Sequence, residues 1–440
     1  MLLRYSLAVC ALVSIAAAET KILENFTLID GTGRAPVANA ALIVTDGRIT
    51  YAGPKAGAKP PSGAEKIDLT GKFLVPGIIN LHGHLGAVKG LVQDPKNYTR
   101  ENLMSQLQLL SSYGVTSYVS MGSDMPVILD VRNAQRQTGR PGETRIFTAF
   151  RGFTGKGGYP TKAPGMKGVP FEVSTPAEVE KALDELNKAK VDLVKVWVDD
   201  HLGKEPKIPL DLVKSIIAGA KKRGYNTAAH IFYYNDAKAL AEAGLHGLAH
   251  SVRDKDVDAA FIASMKKGGC WQAAATFTRE LSMFVYATPA PFLDDPFFKP
   301  VTTPDVIKAL RSPERMKTVN ADPENMKYKD FLKTAQRNLK KLADAGVPFG
   351  FGTDSGPPAR FLAFFEHLEM ELMAEAGLTP QQIIQSWSKH AAQWLGQSKD
   401  LGTVEAGHWA DLLVLDANPL SDIKNTRKIH QVYIAGKRIK

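Results

Sequence analysis

The chain has 440 residues, and its 55 lysines and arginines against 45 aspartates and glutamates give a formal net charge of +10. The basic residues are spread out, and runs such as Lys221-Lys222-Arg223 and Lys340-Lys341 read as solvated helix faces, which excludes a clustered nucleic-acid face. Nonspecific attraction to anionic surfaces or substrates stays open.

Residues 1–18 read as a secretory signal peptide: a basic start, an apolar core over 5–15, and Ala16-Ala17-Ala18 before Glu19. A membrane anchor is the competing reading, but the apolar core falls short of the ~20 residues a spanning helix needs. A lipoprotein reading through Leu7-Ala8-Val9-Cys10 is countered by the valine before the cysteine. The expected mature protein is therefore exported, to the periplasm or beyond, with no stable membrane anchor. Cleavage removes Cys10 and leaves Cys270 without an intrachain disulfide partner. Stability must then come from a large core.

Strands are predicted at 40–45 and 48–52, joined by an Asp46-Gly47 hairpin turn, and at 65–69. Eight further apolar or alternating runs follow at 78–82, 115–121, 145–150, 191–198, 226–231, 248–251, 270–276 and 347–353. Helical periodicity alternates with them at 101–113, 126–138, 176–190, 210–223, 235–243, 256–267, 328–345 and 360–376. Strands at 410–415 and 430–434 close the chain. Eight strand–helix alternations imply a parallel sheet with right-handed crossovers, closing into a (β/α)8 TIM barrel whose active site lies at the C-terminal strand ends. The length exceeds the ~250 residues of such a barrel. The expected fold is thus α/β, with a barrel over 77–400 and a small β-sandwich domain built from 19–76 and 401–440.

Ligand-type side chains recur at those strand ends. His82 and His84 are two apart on a strand, so both imidazoles share one face and one divalent ion can take both; alone, such a pair could equally be satisfied core histidines. Lys195 shares a strand face with Leu193 and Trp197, where a charged amine is costly unless paired, snorkelling out, or converted by carbon dioxide to an anionic carbamate. His230 and His250 close two successive strands and suit a second ion with zinc-like nitrogen ligation, whereas His246 sits at the opposite end of its strand and reads as structural. Asp354, after an apolar glycine-rich run, is either a turn cap or a ligand and base.

These residues, together with Leu28-Ile29-Asp30-Gly31-Thr32-Gly33, Val75-Pro76-Gly77 and the closing stretch from Gly402 to Leu412, resemble the amidohydrolase superfamily. The likeness is to its binuclear branch of prolidase-like and imidazolonepropionase-like proteins. The resemblance implies that His82, His84 and Asp354 bind one ion, that His230 and His250 bind another, and that carboxylated Lys195 bridges two divalent ions, zinc by ligand chemistry. It implies hydrolysis of carbon–nitrogen bonds by a metal-bridged hydroxide attacking a carbonyl, with Asp354 as proton shuttle. Three positions depart from the pattern. Asn80 stands where relatives often have an acid, Tyr159 follows Gly157-Gly158 where many have histidine, and Tyr233 replaces the glutamate usual in nucleobase deaminases.

For substrate, Arg151, His201, Tyr233, Tyr234 and Arg279 follow barrel strands and are candidates for a carboxylate contact. The segment 277–325, with Phe284, Tyr286, Phe292, Phe297 and Phe298, is expected as a lid favouring apolar groups, or as a surface packed on another copy in a homo-oligomer. The leading expectation is an exported amide hydrolase acting on a dipeptide, an N-acyl amino acid or a cyclic amide. A mononuclear enzyme with uncarboxylated Lys195, acting on a cyclic amide or related ring, and a noncatalytic periplasmic binding protein are the alternatives.

Overall fold

The computed structural model describes residues 19–139 and 141–440, so the expected leader over 1–18 lies outside the described residues. Both ends of the chain meet in one eight-stranded sheet. Thr20–Leu28, Val37–Thr45, Arg48–Pro54, Glu65–Asp68 and Phe73–Pro76 come from the front, and Leu412–Leu415, Ile429–Ile434 and Lys437–Arg438 from the back. Asp46 and Gly47 take φ of 48° and 82°, the left-handed pair that a two-residue hairpin turn requires. Leu412–Leu415 pairs antiparallel with Phe73–Pro76, which fastens the C-terminal segment to the strand that leads into the rest of the molecule. Two-residue periodicity places Leu42 and Val44 in one core with Phe26, Leu74, Leu412 and Val414, while Ala41 and Ile43 pack with Ile22 on the other side.

The middle of the chain is mixed α/β. Ile78–Gly83, Val115–Ser120 and Arg145–Thr148 form a parallel three-stranded sheet; Val194–Val198, Thr227–Ile231, Gly247–Leu248 and Trp271–Gln272 run parallel in a second, with Phe153–Gly155 and Phe171–Val173 at its edge. The four longest of these strands are buried at every residue, as strands covered on both faces must be. Main-chain hydrogen bonds continue the pairing past each sheet: Asp192 N–H to Thr148 O at 2.9 Å, Gly350 N–H to Gln272 O at 2.9 Å, and Leu81 N–H to Phe351 O at 2.8 Å. The expected strand at 347–353 is thus an irregular segment bridging its two neighbours.

Alternation decides what points inward. Leu193 and Ala228 pack with Ile79, Val119, Phe147 and Ala273 in one cluster, whereas Val194, Val196 and Val198 join the core shared with helix residues such as Leu183, Ile216 and Leu240. Lys195 and His230, two residues beyond Leu193 and Ala228, therefore continue the inward row. The expected helices form with small shifts at their ends. Pro176–Ala189 shows why: Thr175 and Glu178 make a capping box, Pro176 fills the first turn, and Lys190 ends the helix at φ 51°.

The largest difference from expectation is 277–325, which is mostly helical rather than a loop. It contains Phe277–Phe284, Pro304–Leu310 and Pro313–Ala321 with three short 3-10 turns. Thr303 and Ser312 cap their helices and are each followed by proline, a start signal carried by the sequence itself. Its aromatic residues Tyr286, Phe292 and Phe298 pack against Phe361, Phe364 and Phe365, so they build a local core. Cys270 is free and buried.

Candidate metal centre and active site

Four histidines, Lys195 and Asp354 come together, although Lys195 stands second in Val194–Val198 rather than at its C-terminal end and Asp354 follows the irregular segment. The His82 ring lies 5.7 Å from that of His84 and 4.8 Å from that of His250, and His250 lies 4.2 Å from His230. Lys195 Nζ is 3.4 Å from His82 Nε2, and Asp354 Oδ1 is 3.0 Å from His84 Nε2 and 3.8 Å from His82 Nε2. Asp354 is held in place by its main chain. It takes φ 56°, which a short polar side chain tolerates, and the N–H groups of Thr353 and Asp354 both donate to His82 O, at 3.1 and 2.8 Å.

The second ring nitrogens fix the tautomers. His82 Nδ1 lies 2.8 Å from Ala249 O, and a carbonyl only accepts, so Nδ1 carries the proton and Nε2 offers a lone pair. Thr276 Oγ1 donates to Ala275 O and therefore accepts from His250 Nδ1 at 2.7 Å, which again frees Nε2. His230 is reversed: its Nε2 donates to Asp199 Oδ2 at 2.7 Å and Nδ1 is left as the lone pair. His84 Nδ1 meets Ser123 Oγ at 2.6 Å. A neutral imidazole with one nitrogen anchored and the other bare is the form a divalent cation binds.

Electrostatics point the same way. Burial pulls His82 and His250 well below the ordinary histidine range, and brings His230 down to about 4 against the opposing pull of Asp199. Burial also lowers Lys195 to about 7, although Asp354 favours its charge. Asp199 would be raised by burial, but its hydrogen bond from His230 and nearby charges hold it below the usual carboxylate range. For Asp354 too burial opposes ionisation, and Arg360 and the histidines reverse it. His250 Nε2 and Asp354 Oδ1 are buried with no hydrogen-bond partner among the described residues. Buried unpartnered lone pairs fit a cation, and His82, His84 and Asp354 offer ligand atoms within 4.8 Å of one another.

Above the cluster opens a cleft lined by residues of the cluster itself and of the segments around it. Its walls come from the segments after the first and third central strands, with Leu85, Val88, Tyr159, Ala163 and Met166, and from Pro357 and Arg360. None of the five residues expected to touch substrate lines it. Arg151 bonds Val169 O and Glu185 and stacks on Phe171; Tyr234 donates to Asp258. Tyr233 donates to Asp200, Arg279 is buried against Glu280, and His201 lies behind Tyr159 with its ring centroid 5.6 Å away. No residue of 277–325 lines the cleft either. His246 stacks on Trp394 away from the cluster, as expected of a structural residue.

Several residues were not anticipated. Asp199 directly follows the strand Val194–Val198, a strand-end acid that the same positional signal marks. Ser123, Thr276 and the carbonyl of Ala249 carry no such signal. Asn80 accepts from His82 N–H at 2.9 Å and donates to Glu366 at 2.7 Å, so a helix supplies a carboxylate that the strand position lacks.

Residues 73–439 match the model of the amidohydrolase family. The chain belongs to that family. It is 31% identical over 105 residues to the imidazolonepropionase of Shouchella clausii (strain KSM-K16), a stretch that spans 23% of each chain. It is 24% identical over 445 residues to the 5-methylthioadenosine/S-adenosylhomocysteine deaminase of Symbiobacterium thermophilum, covering 91% of this chain and 86% of that protein. Its fold is similar to a crystal structure of a Xaa-Pro dipeptidase with bound methionine in the active site, with a TM-score of 0.76 at 19% identity and coverage of 95% and 99%. As an amidohydrolase the protein is a metal-dependent enzyme that hydrolyses carbon–nitrogen bonds, and His82, His84 and Asp354 form a group able to hold a metal.

Proposed function

We propose that this amidohydrolase is an exported dimetal hydrolase of amide bonds in a dipeptide, an N-acyl amino acid or a cyclic amide. In this reading the parallel strands over 77–400 close into one (β/α)8 barrel, 19–76 and 401–440 form a composite β-domain, and the leader is removed before Glu19. One observation carries the dimetal reading: Lys195 is fully buried among neutral histidines with no carboxylate hydrogen-bonded to it among the described residues. As a carbamate it would become the anion shared between the His82, His84 and Asp354 group and the His230 and His250 pair. Nitrogen-rich donors favour zinc.

Two bound cations would supply a polarised carbonyl and a water acidic enough to react near neutral pH. The chain's own residues do the rest. Water oxygen bonds to the carbonyl carbon, the carbon–nitrogen bond breaks with its electron pair going to nitrogen, and Asp354 carries the proton from the water to that nitrogen. Tyr159, its ring 5.1 Å from that of His230 and tilted 43° to it, and with no hydrogen-bond partner for its hydroxyl among the described residues, is the donor for the carbonyl oxygen. The deaminase-named relative raises deamination as a rival, but Tyr233 has no acid to offer and its phenol is spent on Asp200.

A mononuclear enzyme is the second reading, favoured by the tight grouping of His82, His84 and Asp354 alone. Metal counts on protein prepared with zinc and bicarbonate, with a screen of dipeptides and N-acyl amino acids, separate the two. About two ions per chain, and loss of turnover in Asp354→Asn, are expected. One ion per chain, or intact turnover in that variant, would overturn the dimetal shuttle.

A further inference from the structure

Among the described residues lining the cleft, Arg360 is the sole lysine or arginine. It is not a loose surface side chain. The turn that carries it is closed by Gly356 N–H to Arg360 O at 2.8 Å and Arg360 N–H to Pro357 O at 2.9 Å. That turn is pressed onto the metal cluster: Gly356 takes φ +108°, and a Cβ there would lie 1.8 Å from His84 O. The arginine side chain is 17% exposed, towards the cleft, and both its hydrogen bonds run through Nη1, to Asp354 O at 3.3 Å and Oδ2 at 2.5 Å. Nε and Nη2 have no hydrogen-bond partner among the described residues, so the planar fork is half used.

This contact divides the Asp354 carboxylate. Oδ1 faces the histidines and Oδ2 is capped by Arg360. Oδ1 is committed to the ligand cluster, so the proton travels on Oδ2, where Arg360 occupies one of the two lone-pair sites. Exchange of Asp354 for another anion close to the scissile nitrogen frees Oδ2 fully for that proton. In a dipeptide or N-acyl amino acid that anion is part of the substrate: the carboxylate lies two bonds from the nitrogen that leaves, and a guanidinium fork matches it.

We propose that Arg360 anchors a free carboxylate on the leaving-group side of the substrate, releasing Asp354 Oδ2 as it does so. The substrate class is then an amide whose leaving group is an amino acid with a free α-carboxylate. Leu85, Val88, Met166 and Pro357 on the cleft walls suit an apolar side chain. The inference rests on the amide-hydrolase reading above and narrows it, since a cyclic amide without a carboxylate falls outside it.

The test compares N-acetyl-L-leucine with N-acetyl-L-leucinamide in the zinc-loaded full-length enzyme, in the parent and in Arg360→Gln and Arg360→Lys. The expected result is a parent kcat/KM ratio favouring the carboxylate by roughly 10- to 100-fold, since hydrogen bonds to a charged group are of that size. The ratio falls towards unity in Arg360→Gln, mainly through KM, and is partly kept in Arg360→Lys. Calorimetric binding of L-leucine against L-leucinamide gives the same ratio without turnover. A parent ratio near unity in both measurements, or a ratio unchanged in Arg360→Gln, overturns the proposal. If neither amide is cleaved, the amide-hydrolase reading fails, and the binding ratio alone still decides for or against Arg360.

Discussion

Asp199→Asn probes how the second half of the centre is held. Asp199 Oδ2 accepts from His230 Nε2 at 2.7 Å while Oδ1 accepts from His201 N–H at 2.9 Å, so the carboxylate satisfies two donors with two oxygens. Asparagine has one acceptor oxygen. Whichever donor it keeps, the other faces an NH2 group; if that is His230, the amide proton selects the opposite tautomer and puts a proton on Nδ1, the ligand nitrogen. A hydrogen bond to a charged group is worth about 1.5–3 kcal/mol, which converts to roughly 10- to 150-fold in affinity. In the proposed dimetal centre the loss should fall on an ion at His230 and His250 and spare one at His82, His84 and Asp354, which share no hydrogen bond with Asp199. Zinc competition against a chelator of graded strength, with folding followed by circular dichroism, reads both ions. We expect one class of site to weaken by about 10- to 100-fold. A folded variant that keeps two ions at parental affinity, or weakens both equally, would show that Asp199 does not hold the second site.

Three further outcomes are expected. His367 is fully buried between Tyr113 O and Thr426 Oγ1, and burial takes it from 6.5 to about 3. Between those values the unfolded chain binds the extra proton, so stability is present above the unfolded value and is lost as pH falls. From about pH 7.5 to about 5.5 the parent should lose about 1.4 kcal/mol more than His367→Gln in urea unfolding, and equal losses would contradict this. Asn80→Asp places a carboxylate against Glu366 at what is now a 2.7 Å hydrogen bond. It should cost about 3 kcal/mol or more by thermal unfolding, with recovery in the double variant with Glu366→Gln; an unharmed single variant would be the wrong result. Tyr159→Phe should lower kcat by roughly 100-fold at nearly constant KM, as loss of one transition-state donor does, and a pure KM effect would remove the residue from that role.

Much of the scaffold was legible because its signals are periodic and local. Leu193, Lys195 and Trp197 alternate with valines, and the alternation correctly sets Lys195 inward. Thr175-Pro176 and Asp46-Gly47 state a helix start and a hairpin in two residues each. Strands such as Thr20–Leu28 and Phe73–Pro76 were missed because their polar residues and bulges blur the period, and only pairing with distant strands makes them strands. The helices inside 277–325 are masked by prolines that interrupt helical periodicity, although just after Thr303 and Ser312 a proline opens a helix.

The site divides along the same line. The proposed metal ligands lie where neighbouring segments supply the second contact that fixes each imidazole: Ala249 O for His82, Thr276 for His250, Asp199 for His230. Position along a strand is readable, and all six expected residues converge. Substrate contacts depend instead on how a connecting segment folds back, which has no period. Arg151 and Tyr234 follow strands yet turn away to bond Glu185 and Asp258, while Arg360 reaches the cleft because Gly356 folds its turn onto His84. A residue whose location is set by a strand can be placed by counting; one set by a turn needs the contacts that hold the turn, and for Arg360 those lie on the far side of the metal cluster.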